Sequence, residues 1–123
     1  MHWAAASNNV GRLRELVAST ETNLEARDRM GFTALHVAVQ GWNLDAAEIL
    51  LSAGANVEAE TSQGASSLLL AVHNSRGRCE LLDLLCRFGA DPKHGDRGGQ
   101  TPRSVAHGYG NPALDRVLDT ATR

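Results

Sequence analysis

Three stretches decide the fold: DRMGFTALHVAV at residues 28–39, TSQGASSLLLAV at 61–72 and DRGGQTPRSVAH at 96–107. Each has a glycine in its fourth position, and these glycines, Gly31, Gly64 and Gly99, lie 33 and then 35 residues apart. Two places after each glycine comes a threonine or serine, and an alanine follows within the next six residues. Self-similarity at a period of this length predicts an array in which each short unit stacks on the next.

The residues of each stretch predict a turn that leads into a helix. The glycines suit a turn whose backbone takes positive φ, because glycine has no Cβ atom to clash in that conformation. Thr33 and its two counterparts, Ser66 and Thr101, are placed to cap a helix by accepting a backbone N–H. Pro102 suits a first helical position, where no N–H bond is lost. We expect the small side chains of the alanines to let neighbouring helices approach closely. These alanines are Ala38, Ala71 and Ala106.

The second half of each unit predicts another helix. AEILLSAGANVEA at 47–59 and LLDLLCRFGADPK at 81–93 have apolar residues three and four apart, and each has a glycine, Gly54 or Gly89, that suits a helix end. The expected stripes are Leu44, Ala47, Leu50 and Leu51, and then Leu81, Leu82, Leu84 and Leu85. A single unit cannot bury its own stripe, so we expect the units to share one elongated core.

The hexapeptide TALHVA at 33–38 resembles the T-P-L-H-x-A signature of the ankyrin repeat, whose period is 33 residues. Thr101 and Pro102 keep the start of that signature, whereas SSLL at 66–69 departs from it. The resemblance covers essentially the whole chain. It implies an all-α ankyrin-repeat solenoid of stacked helix-turn-helix units with projecting β-turn or hairpin loops.

The repeated stretches predict four units. They are a partial or capping repeat at 1–27, a repeat at 28–60, a repeat at 61–95 with a two-residue insertion near 74–77, and a C-terminal capping repeat at 96–123. Arg103, where the family has leucine, and a polar end favour the last assignment; that end comprises Asp119, Thr120, Thr122 and Arg123. The chain starts inside a first helix, which fits either a natural N-terminal cap or a cut through a longer array.

The resemblance implies that partners bind to the turn tips and to the concave face of the first helices. On the tips it places Arg27, Arg29, Met30, Phe32, Ser62, Gln63, Arg97 and Gln100, and on the helix face Gln40, His73, Asn74 and Tyr109. We add Trp42, which occupies a position between helices where the family has glycine. Arg29, Met30, Phe32 and Trp42 are the predicted energetic centre, because tryptophan and arginine dominate interface hot spots. The alternative is that Phe32 and Trp42 only cover neighbouring turns.

Composition and motifs disfavour other classes of function. The net charge of -2 and pI ≈ 6.2 predict no binding to nucleic acid, and no apolar run is long enough for a membrane span. No HExxH, CxxC or G-x-S-x-G motif occurs, so we expect no metal, no cofactor and no enzyme. Cys79 and Cys86 lie seven apart, as buried free thiols would on one helix face, and favour the cytoplasm or nucleus. His36 matches the family's histidine, which links turns by hydrogen bonds.

We therefore predict a protein-protein interaction module, monomeric by itself, whose partner is another protein. Two alternatives remain. TALHVAVQGWN at 33–43 resembles repeats of the IκB-type inhibitors of transcription factors, and the array could also serve as the targeting or adaptor segment of a larger enzyme complex. In addition, Asn56 resembles an asparagine that an oxygen-dependent hydroxylase modifies in some ankyrin repeats.

Overall fold

The computed structural model describes residues 2–19 and 23–121, with the backbone alone for Thr120 and Ala121. Thr122 and Arg123 of the predicted polar end lie outside the described residues. Within the described part the chain forms helices joined by turns, without a strand, and none of these helices is long and apolar enough to cross a membrane. The helices are α1 His2–Ala6, α2 Val10–Ala18, α3 Ala34–Gln40, α4 Leu44–Ser52, α5 Ser67–His73, α6 Glu80–Arg87, α7 Pro102–Gly108 and α8 Pro112–Ala121.

The predicted caps start three of the helices. The hydroxyl of Thr33 accepts from the backbone N–H of His36 at 3.3 Å, and Ser66 and Thr101 do the same at the starts of α5 and α7. Pro102 occupies the first turn of α7, as predicted. Each cap satisfies a backbone donor that has no partner inside its helix. The glycines predicted to turn the chain have positive φ, for example 77° at Gly31 and 101° at Gly54.

The helices form two parallel layers. The inner helices α1, α3, α5 and α7 contact one another in that order, while α2, α4, α6 and α8 do so in the outer layer. One continuous core runs between the layers, and Ala38, Ala71 and Ala106 are fully buried where inner helices meet. The two predicted leucine stripes lie in this core, with Leu44 only partly buried at its edge. The all-α repeat fold is thus confirmed, and we retain the unit boundaries 27/28, 60/61 and 95/96 as a proposal.

The cysteines are less buried than the sequence suggested. Cys79 lies just before α6 rather than inside it, and Cys86 lies in the last turn of α6. Both are free and both are intermediate in exposure, so the prediction of buried thiols on one helix face is wrong. The leucines around them occupy the centre of the core, which leaves the two sulfurs at its edge. Burial still raises the pKa of the Cys86 thiol, to about 11.

Candidate protein-binding surface

The three turn tips share one internal design, in which a side chain at the first turn position accepts two backbone N–H bonds. One carboxylate oxygen of Asp28 accepts from Met30 at 2.8 Å and from Phe32 at 2.9 Å. Asp96 does the same in the third tip, and the hydroxyl of Thr61 does so in the second. The bond from the Phe32 backbone lowers the pKa of Asp28. Each tip is therefore held by its own side chain rather than by a partner.

Hydrogen bonds also join the tips to one another. The hydroxyl of Ser62 donates to the carbonyl of Met30 at 2.9 Å, and the N–H of Arg97 donates to the carbonyl of Gln63 at 3.2 Å. A Cβ atom on Gly31 would lie 2.7 Å from the Ser62 nitrogen, so the first two tips can approach this closely only with glycine there. The three tips therefore form one continuous row, named the tip row below.

The side chains that the sequence placed on the tip row are mostly exposed. Met30 is 65% exposed, which is high for a large apolar side chain in a core-forming protein. Arg27 is exposed too, but its guanidinium already donates to the carbonyls of Gly31 and Glu60. The remaining exposed side chains of the row are Arg29, Ser62, Gln63, Arg97 and Gln100.

Phe32 differs from its neighbours because it is half-buried. Its ring centroid lies 5.8 Å from that of His36, which is fully buried beneath the first tip. His36 accepts from the Thr33 backbone N–H at 3.0 Å and donates to the carbonyl of Ala59 at 2.8 Å. This link between two turns of the second unit is the role expected for the family's histidine. Burial lowers the pKa of His36, so the neutral ring makes these bonds.

The sequence analysis missed an apolar row on the inner helices. One buried alanine recurs in every inner helix, and the residue just before it is apolar and remains at least partly exposed, since the alanine side of each helix packs inward. These alanines are Ala4, Ala38, Ala71 and Ala106. Trp3 in α1 is 68% exposed, the largest value among the large apolar side chains described. The signal was the x position of L-H-x-A, which holds a large apolar residue in every unit. These residues are Trp3, Val37, Leu70 and Val105, named the inner-helix row below.

Trp42 is half-buried and takes part in the stack. It has a φ of 55° in the turn between α3 and α4, a conformation that costs most residues energy. The guanidinium of Arg78 lies 4.3 Å from the centroid of its ring, in a cation–π contact with the following unit. Among the predicted residues, Trp42 and Phe32 thus both cover neighbouring parts of the array, while Met30 does not.

The predicted residues at the ends of the inner helices lie on one edge of the inner-helix face. Gln40, His73 and Tyr109 are exposed and Asn74 is half-buried, with its amide donating to the Leu70 carbonyl at 2.8 Å. The Tyr109 hydroxyl lies 3.5 Å from Nδ1 of His73, so the third and fourth units meet here. The structure therefore brings the predicted residues into two groups, one along the tip row and one at the far ends of the inner helices.

A histidine with two carboxylates forms another bridge between units. Nδ1 of His94 lies 2.8 Å from Glu58 and Nε2 lies 2.5 Å from Glu60. The bond to Glu60, followed by that to Glu58, raises the pKa of His94. Nowhere in residues 2–19 and 23–121 do three or more His, Cys, Asp or Glu side chains form a group suited to a metal ion. We interpret the His94 cluster as an ion-paired link between turns.

Asn56 is exposed, as a modified asparagine must be. Its backbone N–H donates to Glu25 at 3.0 Å, and its side-chain oxygen accepts from the Glu58 N–H at 3.0 Å. Hydroxylation at this position stays a prediction.

Two layers of helices, a shared core and hydrogen-bonded tips define a helical repeat protein built on two-helix units. A sequence model described as ankyrin repeats (3 copies) matches residues 1–61. The repeat signature found along the rest of the chain agrees with that match. The chain belongs to the ankyrin-repeat family. Ankyrin repeats are generally protein-interaction modules, and their fold is not an enzymatic one.

Several curated proteins are similar in sequence. BCL-6 corepressor-like protein 1 of Homo sapiens is 41% identical over 65% of this chain, and B-cell lymphoma 3 protein homolog of Mus musculus is 34% identical over 86%. Putative ankyrin repeat protein L271 of Acanthamoeba polyphaga mimivirus is 32% identical over 89%. The chain spans 4%, 23% and 14% of the lengths of these relatives, respectively. The similarity therefore concerns only a part of each relative.

Proposed function

We propose that this chain is a protein-binding module whose partner lies across the tip row and the inner-helix row. The proposal depends above all on one observation. Three tips are joined to one another by hydrogen bonds, while the side chain of Met30 remains largely exposed. A surface that is already ordered loses little conformational entropy on binding, so its exposed apolar groups can contribute fully to affinity.

The two rows together provide the chemistry that protein interfaces use. Met30 and Trp3 supply exposed apolar area, and Arg29 and Arg97 are exposed on the first and third tips. Methionine, tryptophan and arginine are enriched in interfaces. Phe32 and Trp42 support the surface from below, because Phe32 is half-buried against His36 and Trp42 is half-buried against Arg78 of the next unit. We therefore propose an energetic centre that keeps Arg29 and Met30, adds Trp3 and no longer includes Phe32 and Trp42.

Affinity capture from a cell lysate tests the proposal when matched variants are compared. We expect proteins captured by the wild type to be lost from a Met30→Ala/Trp3→Ala double variant, since each hot-spot residue contributes about 2 kcal/mol or more. The control is Arg14→Ala/Phe88→Ala, which alters an exposed residue of α2 and an exposed residue just after α6, both in the outer layer. Capture that is equal for both double variants, at unchanged stability, would refute the proposed surface.

As a second and more specific proposal, the names of two relatives favour a role for this module in regulating its partner. One is named a corepressor-like protein and another is named for B-cell lymphoma. In such a setting the module either inhibits its partner, as the IκB-type resemblance suggests, or recruits it as an adaptor to a larger complex, in the cytoplasm or nucleus. Fusing the chain to a DNA-binding domain and following a reporter gene separates the two: recruitment changes reporter output, and simple sequestration does not.

A further inference from the structure

The two-residue insertion of the third unit borders a pocket at the far end of the inner helices. The pocket has a volume of about 370 Å³, enough for a large side chain. Val72 and Leu114, both buried in the core, form its apolar floor. The other lining residues are His73, Ser75, Arg76, Gly77, Tyr109 and Asn111.

A chain of contacts holds the insertion loop in place. Arg78, which stacks on Trp42, donates from Nε to the Ser75 carbonyl at 2.9 Å and from Nη2 to the Asn74 carbonyl at 3.1 Å. Arg76 and Gly77 both have positive φ, of 51° and 83°. The loop is therefore ordered before any ligand arrives. Through its contact with Arg78, Trp42 helps to position this loop, which gives the tryptophan a role in a turn of positive φ.

The charge at the pocket favours an anion. No carboxylate occurs among its lining residues, and Arg76 makes no ion pair with any residue in the described part of the chain. The ends of α5 and α7 bring partial negative charge, which the start of α8 partly offsets. The full charge of Arg76 therefore decides the sign. Arg76, the Tyr109 hydroxyl and the Asn111 amide are all hydrogen-bond donors suited to a carboxylate.

We propose that this pocket receives a glutamate side chain from the partner segment that crosses the inner-helix face. The inference rests on the proposed function, since it names the chemistry of that partner. Glutamate fits because its carboxylate can meet Arg76 while its methylene groups lie against the exposed ring of Tyr109. The pocket adjoins the end of the inner-helix face, so a segment that crosses this face passes the pocket in mid-chain. This position favours a side chain over a terminal carboxylate.

Selection from random peptides displayed on phage tests the inference, because it requires no purified partner. We expect peptides selected by the wild-type chain to be enriched in glutamate at one position beside apolar residues. Replacing that glutamate by glutamine should weaken binding about tenfold, because a charge-assisted hydrogen bond is lost. Arg76→Gln should weaken binding of the glutamate peptide by a similar factor and leave the glutamine peptide unaffected. Arg14→Gln, an exposed arginine on an outer helix, is the control.

The possible outcomes separate this inference from the proposed function. Selection of no peptide at all would count against the proposed function itself. Peptides that lose affinity with Met30→Ala/Trp3→Ala, yet show no glutamate preference or bind Arg76→Gln equally well, would keep the proposed function and overturn the pocket assignment. Enrichment of a free C-terminal carboxylate, or of leucine at the pocket position, would also overturn it. Circular dichroism of each variant establishes that the repeat fold is intact.

Discussion

Replacing His36 by leucine should remove about 3 kcal/mol from the free energy of unfolding. The substitution leaves two buried backbone groups without partners, the N–H of Thr33 and the carbonyl of Ala59. Each such group costs about 1–3 kcal/mol, and the added apolar burial of leucine offsets part of the sum. The site is fully buried, so water cannot replace the lost bonds.

Urea unfolding followed by circular dichroism, at about pH 7.5, measures this loss directly. The control is His107→Leu, because His107 is exposed and surface substitutions change stability by about 0.5 kcal/mol or less. A loss of less than about 1 kcal/mol for His36→Leu would refute the argument that the His36 bonds to Thr33 and Ala59 stabilise the fold.

His36 should also make the free energy of unfolding depend on pH. Because burial lowers the pKa of His36 in the folded state, the unfolded chain binds more protons below about pH 6.5. The wild type should therefore lose stability relative to His36→Leu as the pH falls below that value. The gap between the two proteins should be constant above about pH 7.5. A gap that does not change with pH would show that His36 titrates normally in the folded protein.

Three further predictions follow from other contacts. His94→Gln should lower the free energy of unfolding by about 1 kcal/mol near pH 5.5, because the two ion pairs of His94 need the protonated ring. This loss should shrink as the pH rises through the raised folded pKa of His94. Urea unfolding measures it, and equal losses at about pH 5.5 and about pH 9 would contradict the prediction. Gly31→Ala should cost at least about 1–2 kcal/mol, because its φ is positive and a Cβ would meet Ser62; thermal melting beside Gly11→Ala, which has open space, checks it. At about pH 8, Cys86 should react with iodoacetamide far more slowly in the folded chain than in the unfolded chain, because the pKa of its thiol is raised in the folded state. Mass spectrometry measures both rates, and equal rates would be inconsistent with partial burial of Cys86.

Much of the fold could be predicted from the sequence because each repeat combines local signals with one shared requirement. Glycine, threonine and proline fix where turns and helices begin, and these preferences act within a few residues. The leucine stripes then leave stacking as the arrangement that buries them. The caps at Thr33 and Thr101 and the left-handed turn at Gly54 accordingly lie where the pattern placed them.

The finer surface could not be predicted in the same way. The exposure of Phe32 depends on its contact with His36, and that of Trp42 depends on its contact with Arg78 of the next unit. Trp3 was overlooked because its position in the signature allows any residue, so only the packing of α1 on α3 reveals its exposure. The sequence located the insertion near 74–77, but only the structure reveals that its Ser75 is buried and that it borders a pocket.

Hydrogen–deuterium exchange of the chain, with and without a protein that it captures, tests most directly where a partner binds. We predict slower exchange at the tip row and along α1, α3, α5 and α7 in the complex, with little change in the outer layer. Protection confined to α2, α4, α6 and α8 would contradict the proposed binding surface, even if the repeat fold and its core were correct.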